Sequence, residues 1–333
     1  MNRKQINKMN PTTDNNITKT HANSGFIAGN ACILLATIFW GINVSATKAL
    51  IPDWMSANGI TAVRLIGGCI LFWIASIFTT HRRIAGHDWL RFFLAGFIGL
   101  FGFIFLFVTS LKYGDPIDIS IIMTLPPVFV ILIGVLFQHR HTSLLEWLGV
   151  LVSFAGAVLV IVEAAGGSGN QGSDRLLGNL LAVASTICYA FYLVILEGPT
   201  KIYKPVTMLR WVFLFAAIPA LVLVPEMAHL PILHTTEATP WIEIAFILFC
   251  PTFIAYFLVQ PAIKNIGSEL VSLYQYLLPV FATISAVLMG LSHLRWIQAI
   301  AMLIIVGGMI ITNFGKMRKP KPVPDTDSPQ KNI

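Results

Sequence analysis

Several polar and aromatic side chains of this 333-residue chain stand at helical spacing inside otherwise apolar runs. Trp40 and Asn43 are three apart and share one helix face. Ser120, Met123 and Thr124 share another, Tyr189 and Tyr192 lie three apart, and Tyr256 and Gln260 lie four apart. Ser272, Gln275 and Tyr276 form a further set. These types offer ring faces, amides and hydroxyls, which can hold a small polar or amphipathic molecule and would suit a zwitterion with a modest apolar part. Interhelical hydrogen bonding and interfacial anchoring are the plainer use of the same groups.

Catalysis and metal chemistry find less support. All eight histidines fall outside the apolar cores, which disfavours a membrane-embedded enzyme. Glu226, His229, His234 and Glu237 are metal-ligand types in one loop, but their spacing matches no defined site. Gly167 to Gly172 fits a GxGxxG pattern but follows an apolar helix, with no surrounding βαβ unit. Cys32, Cys69, Cys188 and Cys250 lie singly in apolar runs. No metal and no cofactor is implied.

Long apolar elements must position these residues. The chain is 56% hydrophobic and only 11% charged, against roughly 25% charged in soluble domains. Lipid is therefore the expected solvent. The net charge of +7 comes from tails and short loops, with no basic face for nucleic acid. Ten stretches approach the ~20 residues that cross a bilayer as a helix. They are 26–47, 57–79, 89–111, 116–137, 145–163, 176–196, 206–225, 241–263, 268–291 and 294–314. The expected class is all-α integral membrane. Residues 1–25 read as an N-terminal tail, 166–175 as a linker and 315–333 as a disordered tail.

The second half repeats the first. A shift of 152 carries Trp89, Ser120, Leu125 and Pro127-Val128-Phe129 onto Trp241, Ser272, Leu277 and Pro279-Val280-Phe281. A shift of 149 carries Gly29-Asn30, Thr37 and Trp40 onto Gly178-Asn179, Thr186 and Tyr189. Residues 26–165 and 176–314 thus read as five-helix repeats, and an odd number of helices per repeat makes them inverted. With the N-terminus inside, sixteen of the 22 Lys and Arg lie on the cytoplasmic side. Both termini are therefore expected in the cytoplasm, and the expected location is a bacterial inner membrane.

Pro126, Pro127 and Pro279 remove backbone donors and should kink the fourth and ninth helices around a central cavity. Arg64 lies about seven residues into the second helix. Arg210 at its repeat position supports a structural or headgroup contact; a charge partner for a substrate carboxylate or phosphate is the alternative. Gly96, Gly99 and Gly102, and Gly149, Ser153 and Ala157, are spaced for close helix approach. No acidic residue falls in the middle of any stretch, which weakens proton-coupled antiport.

The segment Gly29 to Gly41 ending in Phe39-Trp40-Gly41, the early Arg64, and Leu125-Pro126-Pro127-Val128-Phe129 echoed by Leu277-Leu278-Pro279-Val280-Phe281 resemble the EamA family of the drug/metabolite transporter superfamily. The resemblance covers about 26–314. It implies a cavity lined by helices one, three, four, six, eight and nine, and substrates such as amino acids. The chain departs from the family where a Glu commonly ends the fourth and ninth helices; it has Phe137-Gln138-His139 and Met289-Gly290-Leu291-Ser292 there. The expected function is a secondary transporter exporting small metabolites by alternating access, with multidrug or xenobiotic efflux as the alternative. The expected partners are a small-molecule substrate and the bilayer, and the sequence fits a monomer and a homodimer equally.

Overall fold

The computed structural model describes residues 11–51, 53–80, 83–138, 143–165 and 170–317. Those residues form helices joined by short connections, and no strand occurs among them. Eight helical spans are long and apolar enough to cross a membrane: α1 (Gly25–Leu50), α2 (Ala57–Ile77), α3 (Asp88–Tyr113), α4 (Pro116–Leu136), α5 (Leu144–Ala165), α6 (Asp174–Ile202), α7 (Pro205–Ala228) and α8 (Ala238–Ala262). Two shorter apolar helices follow, α9 (Gln275–Leu288) and α10 (Trp296–Thr312).

Several boundaries differ from the sequence expectation. The first helix begins at Pro11, inside the segment expected to be a tail. Proline has no N–H to lose at a first helical position and its φ suits one. Helix backbone resumes at Asn170, within the expected linker, and the last helix runs to Met317; residues 1–10, 166–169 and 318–333 of the expected tails and linker lie outside the described residues. In the first half, Gly114 ends α3 and Asp115 caps α4, its carboxylate accepting from the Ile117 and Asp118 amides with Pro116 at the first turn. The positions 152 later hold Ile266-Gly267-Ser268, with no proline, and helical backbone continues through Ala255–Tyr274.

The helices pair across the two halves. α1 packs on α8 and α9, while α6 packs on α3 and α4; α2 pairs with α7, and α5 with α10. Missing side chains permit the tightest contacts. Gly149 lies against Gly308 and Thr312, and Gly156 against Ala301 and Ile305, so α5 and α10 run antiparallel with their backbones close. Gly96 lies on the α7 backbone at Val212, and Gly99 on α6 at Tyr192. Bulky apolar side chains point outward along the spans, Ile70, Ile74, Leu151, Leu180, Ile242 and Leu303 among them, as a lipid-facing surface requires.

Two π-helical segments interrupt the regular turns, Ala95–Leu100 in α3 and Leu248–Ile254 in α8. They stand about 152 residues apart, the offset of the repeat. Such segments are frequent at functional sites.

Candidate functional site

α4 and α9 are broken where the sequence led us to expect only bends. The helix Pro116–Ile122 ends, Met123–Leu125 form a turn, and a second helix opens at Pro126. Pro126 and Pro127 cannot donate to the carbonyls four residues back, so the ladder stops. Tighter bonds replace it: the Thr124 amide donates to Ile121 O at 3.2 Å and the Leu125 amide to Ile122 O at 3.0 Å. In the other half a 3-10 turn at Gln275–Leu277 precedes the helix that carries Pro279 in its first turn. The two interruptions coincide under the shift of 152 residues. Broken helices at membrane depth need protein or a water-lined cavity around them.

The breaks face a shared cavity. Its wall takes Trp40, Asn43 and Val44 from α1, Arg64 from α2, Phe103 and Phe107 from α3, and Met123 and Pro126 from the first break. Tyr189 of α6, Tyr256 of α8, and Gln275 and Leu278 at the second break complete it. It encloses about 50 Å³, room for a few water molecules and well short of the ~300 Å³ and above of typical ligand pockets. Helix two is the contributor that the resemblance did not lead us to expect.

A chain of rings makes most of this wall. Trp40 meets Tyr256 edge-on at 6.0 Å, Tyr256 meets Tyr192 at 6.4 Å, and Tyr192 stacks on Tyr189 at 5.8 Å. Tyr189 then leans on Phe103 at 4.7 Å, and Phe103 stacks on Phe107 at 6.1 Å. Offset and edge-on pairs of this kind hold rings in fixed orientations. The Trp40 indole donates to the Pro251 carbonyl at 3.1 Å, which fixes the ring against the π-helical segment of α8.

Arg64 closes the ring chain. Its guanidinium lies 5.9 Å from the centre of the Phe107 ring, and Nε donates to Thr252 Oγ1 at 3.1 Å. Pro251 has no N–H for the turn before it; Thr252 Oγ1 fills that place by donating to Ile247 O at 2.8 Å. The side chain is 2% exposed, and Nη1 has no hydrogen-bond partner. Arg210 at the repeat position sits differently, with its guanidinium 5.2 Å from the Trp73 ring and 5.3 Å from Trp211. The pairing that suggested a shared structural role thus joins two unlike environments, and at 2% exposure Arg64 reaches no headgroup.

Of the residues singled out in the sequence, Trp40, Asn43, Arg64, Met123, Pro126, Tyr189, Tyr256 and Gln275 meet at the cavity. Tyr192 is buried behind it as a link in the ring chain. Ser120 and Thr124 turn back on their own helix, donating to Ile117 O and Ile121 O, both at 2.7 Å. Gln260, Tyr276, Pro127 and Pro279 do not line the wall, and the Ser272 side chain lies outside the described residues. Phe103 and Phe107 carried one usable signal, an aromatic pair four apart on one helix face. Val44 and Leu278 carried none.

Comparison with known proteins places this architecture. The model of the EamA-like transporter family matches twice, over residues 27–162 and 176–314. The chain belongs to the EamA-like transporter family. It is 27% identical to the uncharacterized transporter YyaM of Bacillus subtilis, over 69% of this chain and 74% of that one. It is 24% identical to a protein of Ancylobacter novellus named aromatic amino acid exporter YddG, over 88% and 97% of the two chains. A solved crystal structure matches over 89% of this chain and 99% of its own, with a TM-score of 0.61 at 21% identity; that likeness is one of fold. The molecule is thus an integral membrane transporter acting on a small molecule across a lipid bilayer.

In this EamA-like transporter, charged groups gather at the helix ends. Arg175 Nε donates to Asp118 at 2.6 Å, and its Nη2 to Glu163 at 2.5 Å. Arg295 reaches Asp118 at 2.9 Å and also bonds Glu163. Gln298 donates to Asp118 at 2.7 Å. One network therefore ties α4 and α5 to α6 and α10. Toward the opposite ends of the helices, the buried carboxylate of Asp88 accepts from Arg91 at 3.0 Å and from the Tyr203 hydroxyl at 2.8 Å. Lys48 closes the end of α3, donating to Leu111 O at 2.7 Å and Gly114 O at 3.0 Å.

Proposed function

We propose that this chain is a secondary transporter of ten spans in two inverted five-helix halves, exporting small metabolites across a bacterial inner membrane by alternating access. Aromatic amino acids are the leading substrates, and both termini lie in the cytoplasm. The exchange of partners between halves supports the inverted reading: α1 packs on α8 and α9 as α6 packs on α3 and α4. Two halves that can trade roles give outward-open and inward-open states of similar energy.

One observation carries the substrate reading. The central cavity is walled by five rings, Trp40, Phe103, Phe107, Tyr189 and Tyr256, together with the amides of Asn43 and Gln275. Ring faces suit an aromatic side chain and fixed polar groups suit the amino-acid backbone. The name of the Ancylobacter relative points the same way. At about 50 Å³ the cavity is too small for an aromatic amino acid, so loading a substrate requires it to widen as the halves rock apart.

The test is flux of labelled tryptophan and phenylalanine through purified protein in vesicles. Saturable, stereoselective uptake or counterflow is expected, and Trp40→Ala or Gln275→Ala should abolish it without preventing insertion. Wild-type flux in both variants would overturn the site. Broad, non-stereoselective movement of apolar cations instead would favour multidrug efflux. No carboxylate lines the cavity among the described residues, which weighs against a cation-selective site.

A further inference from the structure

We propose that Arg64 is the anion subsite of this transporter and that the substrate brings the carboxylate that pairs with it. The inference rests on the reading of the central cavity as the substrate site.

Arg64 differs from the charges that form ion pairs among the described residues. Asp118, Glu163, Arg175 and Arg295 neutralise one another, and Asp88 has Arg91. No carboxylate pairs with Arg64 among the described residues. Its neighbours at the cavity are neutral: Thr252, Asn43, Tyr256 and Gln275. A buried cation without a counter-charge is unfavourable at any depth in a membrane protein, and the surroundings here do nothing to neutralise it.

The guanidinium is also held for use. Thr252 fixes Nε from one side and the Phe107 ring supports the plane. Arg64 lines the cavity, and its Nη1 is buried without a hydrogen-bond partner. A planar, pre-oriented guanidinium with free N–H groups matches a carboxylate in geometry as well as charge. A carboxylate docked there would leave the ring of an aromatic ligand to lie along Trp40 and Tyr256.

The cheapest decisive test compares ligands before it compares variants. Dissociation constants would be measured on the purified full chain for L-tryptophan, indole-3-propionate, L-tryptophanamide and tryptamine. The first two carry the carboxylate and the last two lack it. A charge-assisted contact to a buried guanidinium corresponds to about tenfold to a hundredfold in affinity. The wild type should therefore favour tryptophan over its amide by at least about tenfold. Arg64→Gln should erase that ratio, Arg64→Lys should restore part of it, and Arg210→Gln should leave it intact.

Equal affinity for acid and amide in the wild type would overturn the proposal even if no variant folds. Tight binding of indole-3-propionate without tryptophan would keep the Arg64 subsite and remove the amino-acid reading. Binding of none of the four would remove both.

Discussion

The Trp40 indole and the Pro251 carbonyl, 211 residues apart in sequence, meet at 3.1 Å and join α1 of the first half to the π-helical segment of α8 in the second. The bond orients a cavity ring and braces a helix that proline has weakened. Trp40→Phe keeps a ring face against Tyr256 and loses the donor, which costs about 0.5–1.5 kcal/mol of stability. Trp40→Ala also empties the space beside Tyr256 and costs ~3–5 kcal/mol. Thermal unfolding in detergent should rank the variants in that order. Flux should fall in both, because Trp40→Ala removes the ring and the freed ring of Trp40→Phe no longer faces the ligand in one orientation; a Trp40→Phe protein with undiminished flux would show that the bond only braces the fold.

The paired helix breaks give a second expectation. In Pro279→Ala the new N–H can donate to the Gln275 carbonyl, and in the Pro126→Ala, Pro127→Ala double variant the same repair reaches Ile122 and Met123. Each substitution sits at the start of a helix, so stability should change by no more than ~1 kcal/mol per site. Transport should drop by tenfold or more as the turns at Met123 and Gln275 regularise and rotate those side chains off the cavity wall. Full flux with the breaks repaired would mean that the interruptions are tolerated irregularities.

Much of this was legible in the sequence, and the residues show where legibility stops. Trp40, Tyr189, Tyr256 and Gln275 line the cavity and stood out in the sequence because a polar or aromatic group in an apolar run has few places to go, whereas Met123 stood out only by sharing a helix face with Ser120 and Thr124. Ser120 and Thr124 looked equivalent, but a short hydroxyl can satisfy itself on the carbonyl of its own preceding turn. Spacing alone does not separate that outcome from cavity lining. Phe103 and Phe107 carried only their spacing as a signal, because a Phe facing a cavity and a Phe facing lipid otherwise read alike. Arg64 and its repeat partner Arg210 show that repeated backbone does not mean repeated surroundings: Trp73 and Trp211 exist on one side only. The π-helical segments leave no sequence mark in α3, where Ala95 to Leu100 contain no proline.

The α5–α10 contact tests the packing directly. A Cβ added at Gly149 would meet Thr312 and the Gly308 carbonyl, and one at Gly308 would meet the Ser153 amide. Backbone atoms cannot yield as a flexible side chain can. Gly149→Ala and Gly308→Ala should therefore each cost about 1–3 kcal/mol, while Gly307→Ala, with nothing within 4 Å, should cost little. Thermal unfolding of the three variants checks the order. A stable Gly308→Ala protein would show that the two helices lie farther apart than described.

The charge network at the ends of α4, α5, α6 and α10 should behave as a latch on the proposed outer side. Asp118 is fully buried and accepts from Arg175, Arg295 and Gln298, whereas the Glu163 side chain is 27% exposed. Asp118→Asn leaves two guanidinium groups facing one remaining carboxylate; loss of a buried partner costs ~3–5 kcal/mol. Solvent screens Glu163, so Glu163→Gln should cost no more than about 1 kcal/mol. Because the network joins the two halves, weakening it should also shift the population toward the outward-open state. A Met123→Cys reporter, with Cys32, Cys69, Cys188 and Cys250 replaced, reads that shift. A membrane-impermeant maleimide added outside should label it faster in the Asp118→Asn background, and Arg295→Gln should act in the same direction if Asp118→Asn folds poorly. Unchanged labelling in both would confine the network to a structural role.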